Sequence, residues 1–339
     1  MSYEDGEKAV SYKKIVSSNP SRRGVLGLFA AAAATVALRP ARAQASWPDA
    51  SGRIVNPYSP GTSTDNFARM LASQFEGRSD YPFIVENRPG ASGWTGTLEV
   101  TRAEPDGHTL VFNVNHAAIY GLLQNTDFDA TVDLTPIAMT ATAPVAILVT
   151  DSLPVNSVEE LVEYAKSNEV AYASSGIGSA VHLYTEMFKQ AAGVDMTHIP
   201  YRGLGASLAD FIAGRIHVIF SSYATGVPLI DAGQARLIGY GAEGAPAGTP
   251  QAPTVKEAGI DYEAAHWWGV FGPPGMSTEL RDTINQASNE SLADPAFVEL
   301  LAASGVAAAP MSADEFKAAV AETHDALTAV VKTGDIVFE

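Results

Sequence analysis

The sequence predicts an α/β protein built as two lobes joined by crossover strands. Short apolar runs alternate with longer amphipathic stretches along most of the chain, the pattern of βα units rather than of a sandwich or a bundle. Two apolar runs, Ala143 to Thr150 and Trp267 to Phe271, bracket a middle block that has a complete alternation of its own. A chain that leaves one lobe and returns to it makes a hinge, which gives a first lobe of residues 44–145 plus 268–339 and a second of residues 146–267. There is no cysteine, so stability has to come from the buried core, and a hydrophobic fraction of 46% supplies one.

The elements follow in order. Arg53 to Tyr58 reads as a strand, and Ser63 to Glu76 as a helix because Phe67, Met70, Leu71 and Phe75 recur at helical spacing. Thr109 to Asn113 and Ala143 to Thr150 are strands, Val158 to Ser167 is a helix and Val170 to Ala173 a strand. Ala180 to Ala192 is helical, Ile199-Pro200-Tyr201 is a short strand ending in a turn, Gly205 to Ala213 is a helix and Val218 to Ser221 a strand. Pro228 to Ala232 and Leu237 to Gly241 continue the series, and three helices close it: Glu279 to Leu292, Pro295 to Ala303 and Ala313 to Lys332. Trp267 and Trp268 sit side by side on the returning strand, so they face opposite sides of it, and packing is the first expectation for both.

The amino terminus reads as an export signal. A polar stretch with Lys8, Lys13, Lys14, Arg22 and Arg23 runs into an apolar segment, Val25 to Leu38, followed by Ala41-Arg42-Ala43. A basic start, an apolar run of about 7–15 residues and a small-x-small site describe a cleavable secretory signal, cut here after Ala43. The segment is shorter than the roughly 18 apolar residues of a spanning helix. Ser21-Arg22-Arg23-Gly24-Val25-Leu26 resembles the twin-arginine address. The whole chain carries a formal charge of −17, and the signal holds seven Lys/Arg against three Asp/Glu, so the exported part is near −21. That charge argues against nucleic acid and anionic membrane surfaces as partners. It does not exclude an anionic ligand, which backbone N–H groups can hold locally.

Two loops have the composition for that task. Pro57-Tyr58-Ser59-Pro60-Gly61-Thr62-Ser63-Thr64-Asp65 lies between a strand and a helix, so its residues stand at a helix N-terminus, where unpaired N–H groups attract anions. Ordinary capping by Ser63 or Thr64 is the alternative. Ser174-Ser175-Gly176-Ile177-Gly178-Ser179-Ala180-Val181-His182 repeats the arrangement in the middle block, without the lysine of a phosphate-binding loop. Two such loops from two lobes would close on one carboxylate. His182 reads equally as a ligand contact and as a capping or packing residue. Trp94, in Gly90-Ala91-Ser92-Gly93-Trp94-Thr95-Gly96, stands in a flexible loop as a pocket wall. The seven histidines are scattered with no zinc-type spacing, and no nucleophile-elbow motif occurs, so neither a metal nor catalytic residues are expected.

These motifs together resemble the solute-binding proteins of tripartite tricarboxylate transporters, the Bug or TctC family. The resemblance spans the chain after the signal. It rests on Pro60 to Arg69, Val85-Glu86-Asn87-Arg88-Pro89-Gly90-Ala91, Ala103 to Leu110, Gly176 to Leu183, His198-Ile199-Pro200-Tyr201-Arg202-Gly203 and Ala252 to Gly259. It implies a two-lobed, type II-like periplasmic-binding fold that closes like a flytrap on a small carboxylate, with no cofactor and no catalysis. It also implies a periplasmic monomer that delivers its ligand to transporter membrane subunits. A ligand-sensing role toward a membrane kinase and an exported hydrolase are the alternatives. By position the resemblance assigns Tyr58, Pro60, Gly61, Thr62, Ser63 and Asp65 to the first ligand loop and Ser174, Ser175, Gly178, Ser179 and His182 to the second. Asn115, His116 and Ala117 follow the next strand, and Tyr201, Arg202 and Gly203 form a further turn. The sequence departs from the family at Thr62, Trp94 and Ser221, the last in place of a frequent Asp. Losing that carboxylate disfavours an amino-acid ligand, whose ammonium needs an anionic partner. A plain or aromatic carboxylate fits better, with Trp94, Tyr223 or Trp267 available to stack on a ring.

Overall fold

The computed structural model describes residues 47–243, 248–334 and 336, so the export signal and cleavage site expected from the sequence lie outside the described residues. Two mixed sheets form the frame. The first contains β1 (Gly52–Asn56), β2 (Phe83–Asn87), β3 (Thr109–Val114) and β4 (Thr135–Pro144). The second holds β5 (Ala146–Thr150), β6 (Ala171–Ser174), β7 (Thr197–Pro200), β8 (Val218–Ser221) and β9 (Ala235–Tyr240) in the order β7-β6-β8-β5-β9. The chain then returns through β10 (Ala265–Gly272) and β11 (Ala307–Ala308), which complete the first sheet in the order β11-β4-β10-β3-β1-β2.

The run Ala143 to Thr150 is two strands on two sheets, where the sequence suggests one. Both halves are buried, so apolar composition runs through the break. The crossing is made at Val145, whose N–H donates to Ala264 O at 3.1 Å and whose carbonyl accepts from Gly241 N at 2.6 Å. The outgoing and returning chains therefore cross side by side. β4 and β10 continue that pairing as a long antiparallel ladder, from Ala265 opposite Pro144 to Gly272 opposite Thr135.

Helices cover the sheets. α1 (Ser63–Glu76), α2 (Trp94–Val100) and α3 (Tyr120–Gln124) follow the first strands, and α4 (Val158–Ala165), α5 (Ala180–Ala192), α6 (Leu208–Ile212) and α7 (Tyr223–Asp231) surround the second sheet. α8 (Thr278–Ser291), α9 (Pro295–Ala303) and α10 (Ala313–Thr333) end the chain. The starts obey capping chemistry: Thr62, Ser157, Ser179, Ser277 and Asp294 each accept an N–H of the first turn, and Ser312 with Glu315 forms a capping box. α7 runs through Pro228, so the apolar stretch Pro228 to Ala232 is the end of a helix.

Trp267 and Trp268 do face opposite sides of β10. Trp268 meets Phe67 of α1 edge-on at 5.6 Å, while Trp267 meets Phe316 of α10 at 5.4 Å and donates Nε1–H to Thr323 Oγ1 at 3.1 Å. Trp267 is 3% exposed, so the ring is a core residue and is not available to stack on a ligand. α10 reaches further than its first turns suggest. Phe316, Ala319 and Val320 join the core of the first sheet, whereas Leu327 joins that of the second, with Val331 and Ile336 beside it.

Candidate functional site

In parallel α/β sheets, ligands gather at the carboxyl ends of the strands. β1, β2 and β3 are mutually parallel in the first sheet, as are β7, β6 and β8 in the second. The loop from Pro57 leaves the end of β1, and Asn115, His116 and Ala117 leave the end of β3. On the second sheet, Ser175 follows β6, Tyr201 to Gly203 follow β7, and Ser222 and Tyr223 follow β8. The residues picked out in the sequence thus stand at strand ends of the same sense in each sheet.

The first loop is organised around Asp65. Its carboxylate accepts from Gly61 N at 3.0 Å, Arg69 Nε at 3.0 Å, Asn56 Nδ2 at 3.2 Å and Asn87 Nδ2 at 2.8 Å. Burial alone would raise its pKa, but Arg69 and the three neutral donors hold it down to about 2. Gly61 turns with φ +81°, and Thr62 caps α1. Asp65 is spent on protein donors; Ser63, one residue inside the cap, is exposed.

Below this loop Tyr58 donates to Asn113 Oδ1 at 3.1 Å, and Tyr120 donates to Ser92 O at 3.1 Å. Burial raises both phenol pKa values, so both stay protonated donors. They support Gly90 to Gly93, four successive residues with positive φ. A Cβ at Gly93 would lie 2.3 Å from the Tyr120 hydroxyl, which makes glycine obligatory there. Trp94 begins α2 and does not hang in a flexible loop. Its ring meets Phe128 at 5.0 Å and Tyr120 at 5.6 Å, both edge-on, and it stays half-buried.

The second loop is held from beneath by stacked rings. His182 Nδ1 accepts from Gly178 N at 3.1 Å, and Ser174 Oγ accepts from Gly176 N at 3.1 Å. His182 lies on His198 at 3.9 Å and 10°, and His198 on Tyr172 at 4.9 Å and 20°. His198 Nε2 is 2.6 Å from Ser174 Oγ. Burial lowers both histidine pKa values, that of His198 to about 4 with help from neighbouring His182. Ser174 and His198 resemble a nucleophile and its base, but Ser174 is fully buried and its hydroxyl closes the turn at Gly176. His198 carries no separate signal in the sequence; strand register brings it opposite Tyr172.

The remaining residues divide by exposure. Tyr201 donates to Asp210 Oδ2 at 2.7 Å, Arg202 is exposed, and Gly203 turns with φ +91°. Ser221 Oγ pairs with Thr225 Oγ1 at 3.1 Å, and Tyr223 opens α7 half-buried. Ser175 is half-exposed, while Ser179 and Ala117 are buried. One hydrogen bond joins the two sets: Ala180 N, at the start of α5, donates to His116 Nε2 at 2.6 Å. Asn115 fixes that turn to β10, accepting from Trp267 N at 2.9 Å and donating to Ala265 O at 3.2 Å. His266, absent from the sequence-based set, is brought to about 4 by burial and by neighbouring His116, and burial brings His116 itself to about 4.

Comparison with known proteins places this geometry. Residues 67–336 match the model of the tripartite tricarboxylate transporter family receptor. Protein BugT of Bordetella pertussis is 28% identical over 314 residues, covering 91% of this chain and 95% of that protein. A structure of an R. palustris protein with adipate is 30% identical with a TM-score of 0.74, covering 86% of this chain and 99% of that one. MatC from Rhodopseudomonas palustris, with bound malate, is 25% identical with a TM-score of 0.70 over 84% of this chain and 100% of that one. The proteins of this family are solute-binding receptors and not enzymes, which agrees with a buried serine and stacked histidines that serve loop geometry. No helix among the described residues is long and apolar enough to cross a membrane. Matched over most of its length in sequence and in fold, the chain belongs to the tripartite tricarboxylate transporter receptor family.

Proposed function

We propose that the chain is an exported receptor that captures a small, plain carboxylate between its two sheets and delivers it to transporter membrane subunits. The observation that carries this reading is the pairing of two glycine- and serine-bearing loops, each closing on a helix N-terminus, on two sheets whose loops are linked by the bond from Ala180 N to His116. Relatives determined with adipate and malate support the ligand class. The ligand shell on this reading is drawn from the exposed and half-exposed residues: Tyr58, Pro60, Gly61, Thr62 and Ser63 on one side, and Ser175, Arg202 and Tyr223 on the other, while Gly178 is buried with its N–H on His182. Trp94 stands at its edge. Asp65, Ser174, His182 and Tyr201 act from behind as supports.

An amino acid fits poorly. The Asp65 carboxylate already holds four donors, and Ser221 brings a hydroxyl to the end of β8, so an ammonium would find no free anion among these residues. Export rests on the first 43 residues, with cleavage after Ala43 and a periplasmic monomer as product. Amino-terminal sequencing of secreted protein should begin at Gln44.

A thermal-shift panel of mono-, di- and tricarboxylates, aromatic acids, amino acids and sugars tests the capture. A ligand at a hundred times its Kd adds about 2.7 kcal/mol, which raises the midpoint by several degrees in a protein of this size. A shift with carboxylates alone is expected. A shift with sugars alone, or with no compound, would sink the proposal.

A further inference from the structure

We infer that His116 is an interlobe latch, a side chain of the first lobe that caps the amino terminus of α5 on the second and sets how readily the lobes stay closed. Helix starts leave backbone N–H groups without intrahelical partners. On α5, Ser179 supplies an acceptor for His182 N, and the N–H of Ser179 itself turns back to Gly176 O. Ala180 N goes across to the imidazole of His116, 64 residues earlier in the chain and rooted in the other sheet. The positive end of the helix dipole strengthens that contact with a lone pair.

The imidazole is held for this bond and for little else. Its Nδ1 is buried with no hydrogen-bond partner, as is Nε2 of His266. Buried polar atoms without partners cost stability, so packing alone gives no reason for a histidine at this position. Asn115 aims it by bonding twice to β10 beside the crossing strands. The neighbouring contacts extend the same seam: Tyr184 of α5 donates to Ala265 O at 2.8 Å, and Ile119, in the turn after His116, joins the core of the second sheet.

The inference rests on the two-lobed receptor reading for its effect on affinity, but the lobe distance can be measured without a ligand. The chain has no cysteine, so spin labels at Val132→Cys and Ile212→Cys, exposed positions of the first and second lobes, report that distance by pulsed electron resonance. Unliganded protein should give one narrow distance population. His116→Ala should lengthen and broaden it, while His116→Gln, whose amide oxygen can accept from Ala180 N, should keep it. Ala180→Pro removes the same N–H at the first helical position, where proline is favoured, so it should open the lobes without harming α5. Combining the alanine and proline variants should open them no further, because both remove one bond. Should His116→Ala fail to fold, Ala180→Pro makes the same test alone. An unchanged distance in folded Ala180→Pro or His116→Ala protein overturns the latch. With adipate as the probe, each opening variant should bind about fivefold more weakly, the loss of one net hydrogen bond. Adipate that fails to bind the parent chain counts against the carboxylate reading and leaves the distance result standing.

Discussion

Asp65, in the first turn of α1, draws together donors from β1, from the turn at Gly61, from its own helix and from the end of β2. The sequence places it at a helix start with glycine before it, the setting of an anion site. Only the folded chain shows Asn56 and Asn87, 9 and 22 residues away, turning their amides onto it. Asp65→Ala leaves buried donors unpaired and unties Gly61, so it should destabilise the protein by about 2–4 kcal/mol. Asp65→Asn should cost less, since one acceptor oxygen remains. Urea unfolding measures both, and a change under about 0.5 kcal/mol for alanine would show that the network is dispensable. Trp94 carries the same lesson: an isolated tryptophan among glycines says nothing of Phe128 and Tyr120, which receive its ring.

At the scale of elements, helix starts were legible because capping is local. Ser63, Ala180, Pro295 and Ala313 begin helices where the sequence puts them, each preceded by a Ser, Thr or Asp whose side chain accepts a first-turn N–H. The break inside Ala143 to Thr150 was not legible, since both halves are buried and hydrophobic periodicity carries no mark of which sheet a strand joins. The destination of α10 is equally nonlocal. Its periodicity gives an amphipathic helix, but Leu327 packs into the second core while Phe316 packs into the first. Leu327 is 1% exposed, so Leu327→Ala should cost about 2–5 kcal/mol by chemical unfolding. Hydrogen exchange should show the loss spreading into α5, because Gln190 Nε2 donates to Val330 O at 3.1 Å. Protection lost only around the first sheet would contradict a bridging α10.

For the whole molecule, burial of neutral histidines links stability to pH. His116, His198 and His266 titrate near 4 when folded, below their ordinary value of 6.5. As pH falls below 6.5 the unfolded chain takes up protons that the folded chain refuses, so stability should decline between pH 6.5 and about 4 and stop declining on this account below that. Asp65 adds a separate loss only between its usual 3.8 and about 2. The midpoint should therefore be lower at pH 5 than at pH 7.5. His116→Gln should flatten that slope, and an unchanged slope would remove His116 from the account.

The sequence by itself determined the α/β class, most helix starts, the cysteine-free core and the two loops at strand-to-helix turns, because capping, periodicity and composition act over a few neighbouring residues. The family resemblance was legible for the same reason, in short ordered motifs that the match over residues 67–336 bears out. Tertiary structure alone decided what those loops rest on and how the lobes meet. The Tyr172–His198–His182 stack depends on β6 pairing with β7, the crossing at Val145 depends on two sheets dividing one apolar run, and the bond from Ala180 to His116 spans 64 residues. Such contacts form between segments distant along the chain, and hydrophobic pattern says which face is buried without saying against what.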